Sequence, residues 1–211
     1  MAEDREKLSW WNKVLGKLGK YIYWWKAEKV SALMFNICIL ECIKALIDLN
    51  DGDIIKGMKI ATEIGTKTGN TTVGGLIEVG ETIFSRNIED FPFMIKIAWY
   101  VFLNEEIEDI KYIKETDKEP PKVVWRLKDC MFCKCLEFEK RFKFNKETLK
   151  TDETKLTYAS LIVFAVQSIC NEVLAYVNSP YYTEVLETKC KQNGDPYPEF
   201  TGYLYKRNEK K

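Results

Sequence analysis

Apolar residues recur through residues 9–25 at helical spacing. Trp11, Val14 or Leu15, Leu18, Ile22 and Trp25 form the stripe and Lys13, Lys17 and Lys20 fall between them, which predicts an amphipathic basic-aromatic helix. Gly16 and Gly19 weaken such a helix standing alone. Its stripe is therefore expected to dock on the body of the protein or on a second subunit in preference to a membrane surface. Residues 31–49 predict a second helix, ended by Asn50, Asp51 and Gly52. Its apolar positions wrap most of the circumference, so it is expected to be central, with Cys38 and Cys42 as small core residues on one face. Residues 53–69 read as a third helix, and the glycines at 74, 75 and 80 predict a pliable stretch leading to a short helix. Residues 88–103, dense in large apolar groups, suit a core helix with Pro92 in its first turn.

Beyond residue 105 the period changes. Residues 106–114 predict a strand and residues 115–121 a polar turn. Residues 122–129 then alternate Val123, Trp125 and Leu127 against Val124, Arg126 and Lys128, completing a hairpin. A short strand is expected at residues 136–144 and a polar connector at 145–153. Residues 155–178 carry the clearest helical stripe, Leu161, Ala165, Ile169 and Val173 or Leu174, closed by Ser179 and Pro180. Strands at residues 181–190 and 197–206 follow, joined by a turn containing Asn193, Gly194, Asp195 and Pro196. Helices first and hairpins later define an α+β class, several helices packed on an antiparallel sheet of about four strands. Residues 1–30 form an amino-terminal helical extension and residues 31–211 one domain.

Composition narrows the function. Lys and Arg total 32, as do Asp and Glu, so no global field draws the chain to nucleic acid. Charged residues between Met1 and Lys7 stand where a secretion signal needs an apolar run. The longest apolar stretch, residues 30–40, holds Asn36 and ends at Glu41, short of the roughly 20 residues of a spanning helix. The seven cysteines are an odd number, which points to reduced thiols and a cytoplasmic setting. The absence of histidine excludes Ser-His and Cys-His nucleophile pairs, His-ligated haem and the H-E-x-x-H zinc site together. Residues 65–72 (GTKTGNTT) look like a phosphate-binding loop but fail its pattern, since no Lys directly follows the second Gly. No dinucleotide-binding glycine pattern and no recognisable acid-base pair appears, so an enzyme is not expected.

Cys130, Cys133 and Cys135 follow a predicted strand, where thiolates three apart in a turn can converge on one zinc ion. A structural site wants four ligands, and the remaining candidates are Cys170, Glu187 and Cys190. The alternative is that the cysteines among them are inert thiols. In a regular strand Glu187 and Cys190 point to opposite faces, so they share a ligand only if a bulge or the strand end turns one of them.

Residues 187–200 (ETKCKQNGDPYPEF), after a long apolar helix carrying Cys170, resemble the end of the 4-vinyl reductase domain family, and residues 59–65 resemble its glycine-ended helix. The resemblance covers roughly residues 31–207. It implies a mixed fold shared with Golgi-tethering (TRAPP) complex subunits, the ligand-binding type of nitric-oxide signalling and Golgi transport, usually dimeric, with an apolar pocket for hydrocarbon-like or tetrapyrrole-related ligands. It also implies a zinc set of Cys170, Glu187 and Cys190, with Pro198 standing where the family has its later Cys, so that Cys130, Cys133 or Cys135 would have to complete it. Asn171 follows Cys170 where a Gly is common.

Two functions are thus expected. One is a sensor for a small hydrophobic molecule, its cavity lined by Trp99, Phe102, Phe164 and Ile169, against the alternative that these side chains simply fill the core. The other is a dimeric protein-protein or membrane-tethering adaptor without such a ligand, gripping its partner through the amino-terminal helix.

Overall fold

The computed structural model describes residues 7–26, 32–80, 83–129, 156–191 and 194–207. The strand expected at residues 136–144 and the connector after it lie outside them. Five helices run in chain order as α1 (Trp10–Lys26), α2 (Ala32–Asp48), α3 (Ile54–Gly80), α4 (Phe91–Leu103) and α5 (Ser160–Tyr176). Four strands, β1 (Ile107–Ile113), β2 (Lys122–Leu127), β3 (Tyr181–Lys189) and β4 (Glu199–Lys206), form one antiparallel sheet in the order β1-β2-β4-β3.

Local chemistry sets the helix ends. After α2 the chain turns through Asp51 and Gly52, both at positive φ, while the Gly52 N–H donates to the Ile47 carbonyl. The Asp53 carboxylate then accepts from the Lys56 N–H at 3.0 Å, capping the start of α3. No loop follows residue 69: α3 continues unbroken to Gly80. The Thr66, Thr71 and Thr72 hydroxyls donate to the carbonyls of Thr62, Lys67 and Thr68 and are satisfied within the helix. Gly74 and Gly75 sit in open space within the helix, whereas Gly65 and Gly69 serve packing. A Cβ at Gly65 would collide with the Leu161 carbonyl oxygen, and one at Gly69 would meet the Ala165 carbonyl oxygen and lie 2.7 Å from the Ser168 Cβ. Glycine therefore lets α3 and α5 approach backbone to backbone, and the Ser168 hydroxyl donates to Asn70 Oδ1 beside the crossing. The phosphate-loop lookalike is a helix-packing surface.

The sheet turns Val123, Trp125 and Leu127 of β2 inward, in register with Phe200, Gly202 and, through Phe200, Glu187 on the neighbouring strands. Trp125 stacks on Phe200 at 5.7 Å between ring centroids, and Trp99 of α4 meets Trp125 edge-on at 5.9 Å. Beside it, a Cβ at Gly202 would lie 3.0 Å from the Thr183 hydroxyl of β3 and in ordinary contact with the Trp125 ring. Met58, Ile43, Ile47, Phe84 and Leu174 join the same continuous core from the helical side.

β3 is an edge strand, and α5 blunts it. Asn171 pairs its side-chain amide with both backbone groups of Thr183, accepting at 2.7 Å and donating at 3.0 Å, and Gln167 accepts from the Val185 N–H at 2.8 Å. Side-chain amides here stand in for a missing neighbour strand.

Two further expectations are overturned. α2 is not central: it buries Asn36, Ile39, Leu40, Ile43 and Ile47 and leaves Met34, Ile37, Cys38 and Cys42 exposed. Its apolar circumference exceeds the one face that α3 and the core cover. The stripe of α1 does not dock on the body either, for the reason described next.

Candidate docking surface

α1 sits on the domain by its polar and small side. Just before it, the Leu8 N–H donates to the Asp90 carboxylate at 2.8 Å, the Ser85 hydroxyl donates to the same group at 3.1 Å, and Lys13 pairs with it at 2.8 Å. Burial alone would raise the pKa of Asp90, but the Leu8 N–H, the Lys13 ammonium and the Ser85 hydroxyl outweigh it and hold the carboxyl below its usual range. One turn on, Gly16 lies against Ile83 and Phe93, where any side chain would clash. Next comes Lys20, a buried lysine whose ammonium reaches Glu106 at 2.7 Å and lies 4.2 Å from the centre of the Tyr100 ring. Tyr21 closes the contact edge-on against Tyr100.

The opposite side of α1 faces water. Trp11 is 66% exposed, Leu15 55%, Leu18 56%, Ile22 56% and Trp25 76%, and Trp10 and Tyr21 flank them. The predicted stripe is real, but it points outward, because Lys13 on the buried Asp90, the buried Lys20 on the exposed Glu106, and Gly16 hold the other face down. Periodicity located the stripe; only the positions of Asp90 and Glu106 decided which side it shows. A Gly16 between lysines was the one available sequence signal, since a small residue on a polar face marks close approach.

The sequence-predicted site residues are dispersed. Trp99 is sealed in the core against Trp125 and Phe200, Phe164 and Ile169 are half-buried on α5, and Phe102 on α4 is 37% exposed. Cys130, Cys133 and Cys135 lie outside the described residues. Cys170 is buried on α5, and burial pushes its thiol up to about 12. Glu187 and Cys190 do come together. The pairing of β3 with β4 slips between Glu187 and Lys189, a bulge that turns the strand end, and the Cys190 N–H is then held by Asp195 at 2.9 Å.

Glu187 lies on the inward face of the sheet, its carboxylate oxygens closed to solvent and accepting no hydrogen bond among the described residues. Thr157 and Cys190 stand beside it without reaching good hydrogen-bonding geometry. Burial first, and the Cys190 thiol second, push its pKa well above the carboxylate range. Among the described residues no three Cys, Asp or Glu side chains converge to hold a metal ion. On the outer face of the sheet, Glu199 binds Arg126 at 2.8 Å and Lys189 at 3.2 Å.

The arrangement defines a class: helices packed on a four-stranded antiparallel sheet, α4 and α5 against the strands, α3 on α5 and α2 on α3, with an extra amphipathic helix held apolar side out. Among solved structures the chain is similar to trafficking protein particle complex subunit 3 from Naegleria fowleri, solved covalently bound to palmitic acid. The TM-score is 0.59 at 14% identity, over 85% of this chain and 98% of that one. No family model and no curated protein matches the chain. The TRAPP-related fold expected from the sequence is therefore present, while the resemblance to the 4-vinyl reductase family finds no support beyond the residues that suggested it. Among the described residues no helix is long and apolar enough to cross a membrane.

Proposed function

We propose that this protein is a non-enzymatic adaptor that works through a docking surface, in the manner of a subunit in a trafficking assembly. The observation that carries the reading is the outward apolar face of α1. Contiguous exposed apolar faces on a folded domain mark interaction sites, and leaving them in water is costly. A fold similar to a complex subunit supports the same reading, and the lack of histidine removes the commonest catalytic constellations. The sensor reading has weaker support, since Trp99 is closed in by other rings and Phe102 faces solvent.

Deleting α1 is not a clean test, because it strips Lys20 from Glu106 and uncovers Ile83 and Phe93. Substitution on the outward face is. Leu15→Ser, Leu18→Ser and Ile22→Ser together change residues that are more than half exposed and are expected to leave the melting temperature within a few degrees. In fractionated extracts of the native host, the substituted protein is expected to leave the large particles or membranes with which the wild type travels. Identical fractionation of the two proteins refutes the adaptor reading.

A further inference from the structure

We propose that the occupant of the outward face of α1 is an anionic lipid bilayer, with the helix lying in the plane of the headgroups; this rests on the docking reading above and names its partner. Three features of the helix carry it. First, residues 7–26 contain Lys7, Lys13, Lys17, Lys20 and Lys26 and no Asp or Glu. Lys13 and Lys20 are committed to Asp90 and Glu106, while Lys7 and Lys17 remain exposed beside the stripe. Protein interface cores are depleted in lysine, whereas helices that lie on membranes carry it along the border of the apolar face.

Second, the outward face combines tryptophan with aliphatic residues, the composition of a helix that lies at a lipid interface. Trp10 and Trp11 stand at the start of the helix and Trp25 at its end, with Leu15, Leu18 and Ile22 between. On a helix lying in the interface plane, tryptophan and aliphatic side chains of one face enter the headgroup–acyl boundary together. Third, the helix is already folded and fixed. The Asp90 and Lys20 contacts hold it against the domain, so it does not have to form on the lipid, as a free amphipathic peptide does. A second copy of the chain fits this surface poorly. Self-pairing of a helix that carries lysine and no acid brings like charges together along its whole length.

The test uses the full chain with vesicles of phosphatidylcholine alone and of phosphatidylcholine mixed with phosphatidylserine, read by co-sedimentation and by tryptophan emission. Binding to the serine-containing vesicles with a blue shift is expected, and it should weaken steeply with added salt. Lys17→Gln should lose about fivefold in affinity, the worth of one lysine at an anionic surface. Leu15→Ser, Leu18→Ser and Ile22→Ser together should abolish binding while circular dichroism stays unchanged.

No binding to the anionic vesicles overturns the proposal, as does equal binding by wild type and the triple variant. If the wild type instead self-associates and the triple variant is monomeric, without lipid binding in either, the lipid assignment falls and the adaptor reading stands. If the triple variant differs from wild type in neither vesicle binding, self-association nor extract fractionation, both fall.

Discussion

Four glycines of one helix should respond to the same substitution in opposite directions. Gly65, Gly69, Gly74 and Gly75 all lie within α3. Helix propensity alone predicts that each Gly→Ala change stabilises the protein by about 1 kcal/mol. At Gly74 and Gly75 nothing lies within 4 Å of an added Cβ, so that gain should appear in full. With a urea slope of about 2 kcal/mol per molar, the midpoint should rise by roughly 0.5 M for either. At Gly65 and Gly69 the obstacles are backbone carbonyl oxygens of α5, which cannot swing aside as a side chain would. The helices must part, opening the packing on both sides. Overpacking costs of this kind reach about 3 kcal/mol, and after the propensity gain is subtracted a net loss of about 2 kcal/mol remains. The urea midpoint should then fall by roughly 1 M. Equilibrium unfolding followed by circular dichroism reads all four variants on one scale. Stabilisation by Gly65→Ala or Gly69→Ala equal to that of Gly74→Ala would refute the close crossing, and with it the packing role assigned to residues 65–69.

Asp90→Asn should loosen α1 by about 2 kcal/mol, the worth of charge-assisted hydrogen bonds at a buried site. The expected result is faster hydrogen exchange in residues 10–26 with the sheet unaffected. Because the folded Asp90 pKa is depressed, its contribution is present above the ordinary carboxylate range and lost as pH falls through the folded value. Exchange in α1 should therefore accelerate first on acidification, and uniform acid loosening of the whole domain would contradict this. Glu187 runs the other way. Its raised folded pKa means that stability is intact below the ordinary carboxyl value of 4.5 and declines as pH rises from there toward the folded value. Glu187→Gln should accordingly exceed the wild type in urea midpoint at neutral pH and lose that advantage in acid; a variant less stable at every pH would show that a partner of the carboxylate had been removed. Among the described thiols, Cys38 and Cys42 should react at once with a disulfide reagent and Cys170 only on unfolding. Rapid labelling of Cys170 in the native protein would place it at the surface.

The alternation of Val123, Trp125 and Leu127 with Val124, Arg126 and Lys128 was enough to read β2, because a strand's period of two is a property of the chain itself. The stripes of α1 and α5 were legible for the same reason. Periodicity says that an apolar face exists. It does not say what covers it, and so Trp11, Leu18 and Trp25, expected against the body or a second subunit, face away from the body, and Cys38 and Cys42, expected in the core, are exposed. The glycine-rich stretch after residue 69 misled because glycine lowers helix propensity by only about 1 kcal/mol, which does not break α3 at Gly74 and Gly75.

By itself, the sequence determined the α+β class, the hairpins, the exclusion of histidine chemistry and the amphipathic character of the first helix. Tertiary structure alone decided that Asp90 and Glu106 face Lys13 and Lys20, which turns the apolar side of that helix to solvent. It also decided that a bulge brings Glu187 beside Cys190, and that Asn171 fills the edge of β3. Each of these depends on groups far apart in the chain, whose approach is fixed by the packing of whole elements and not by any local pattern.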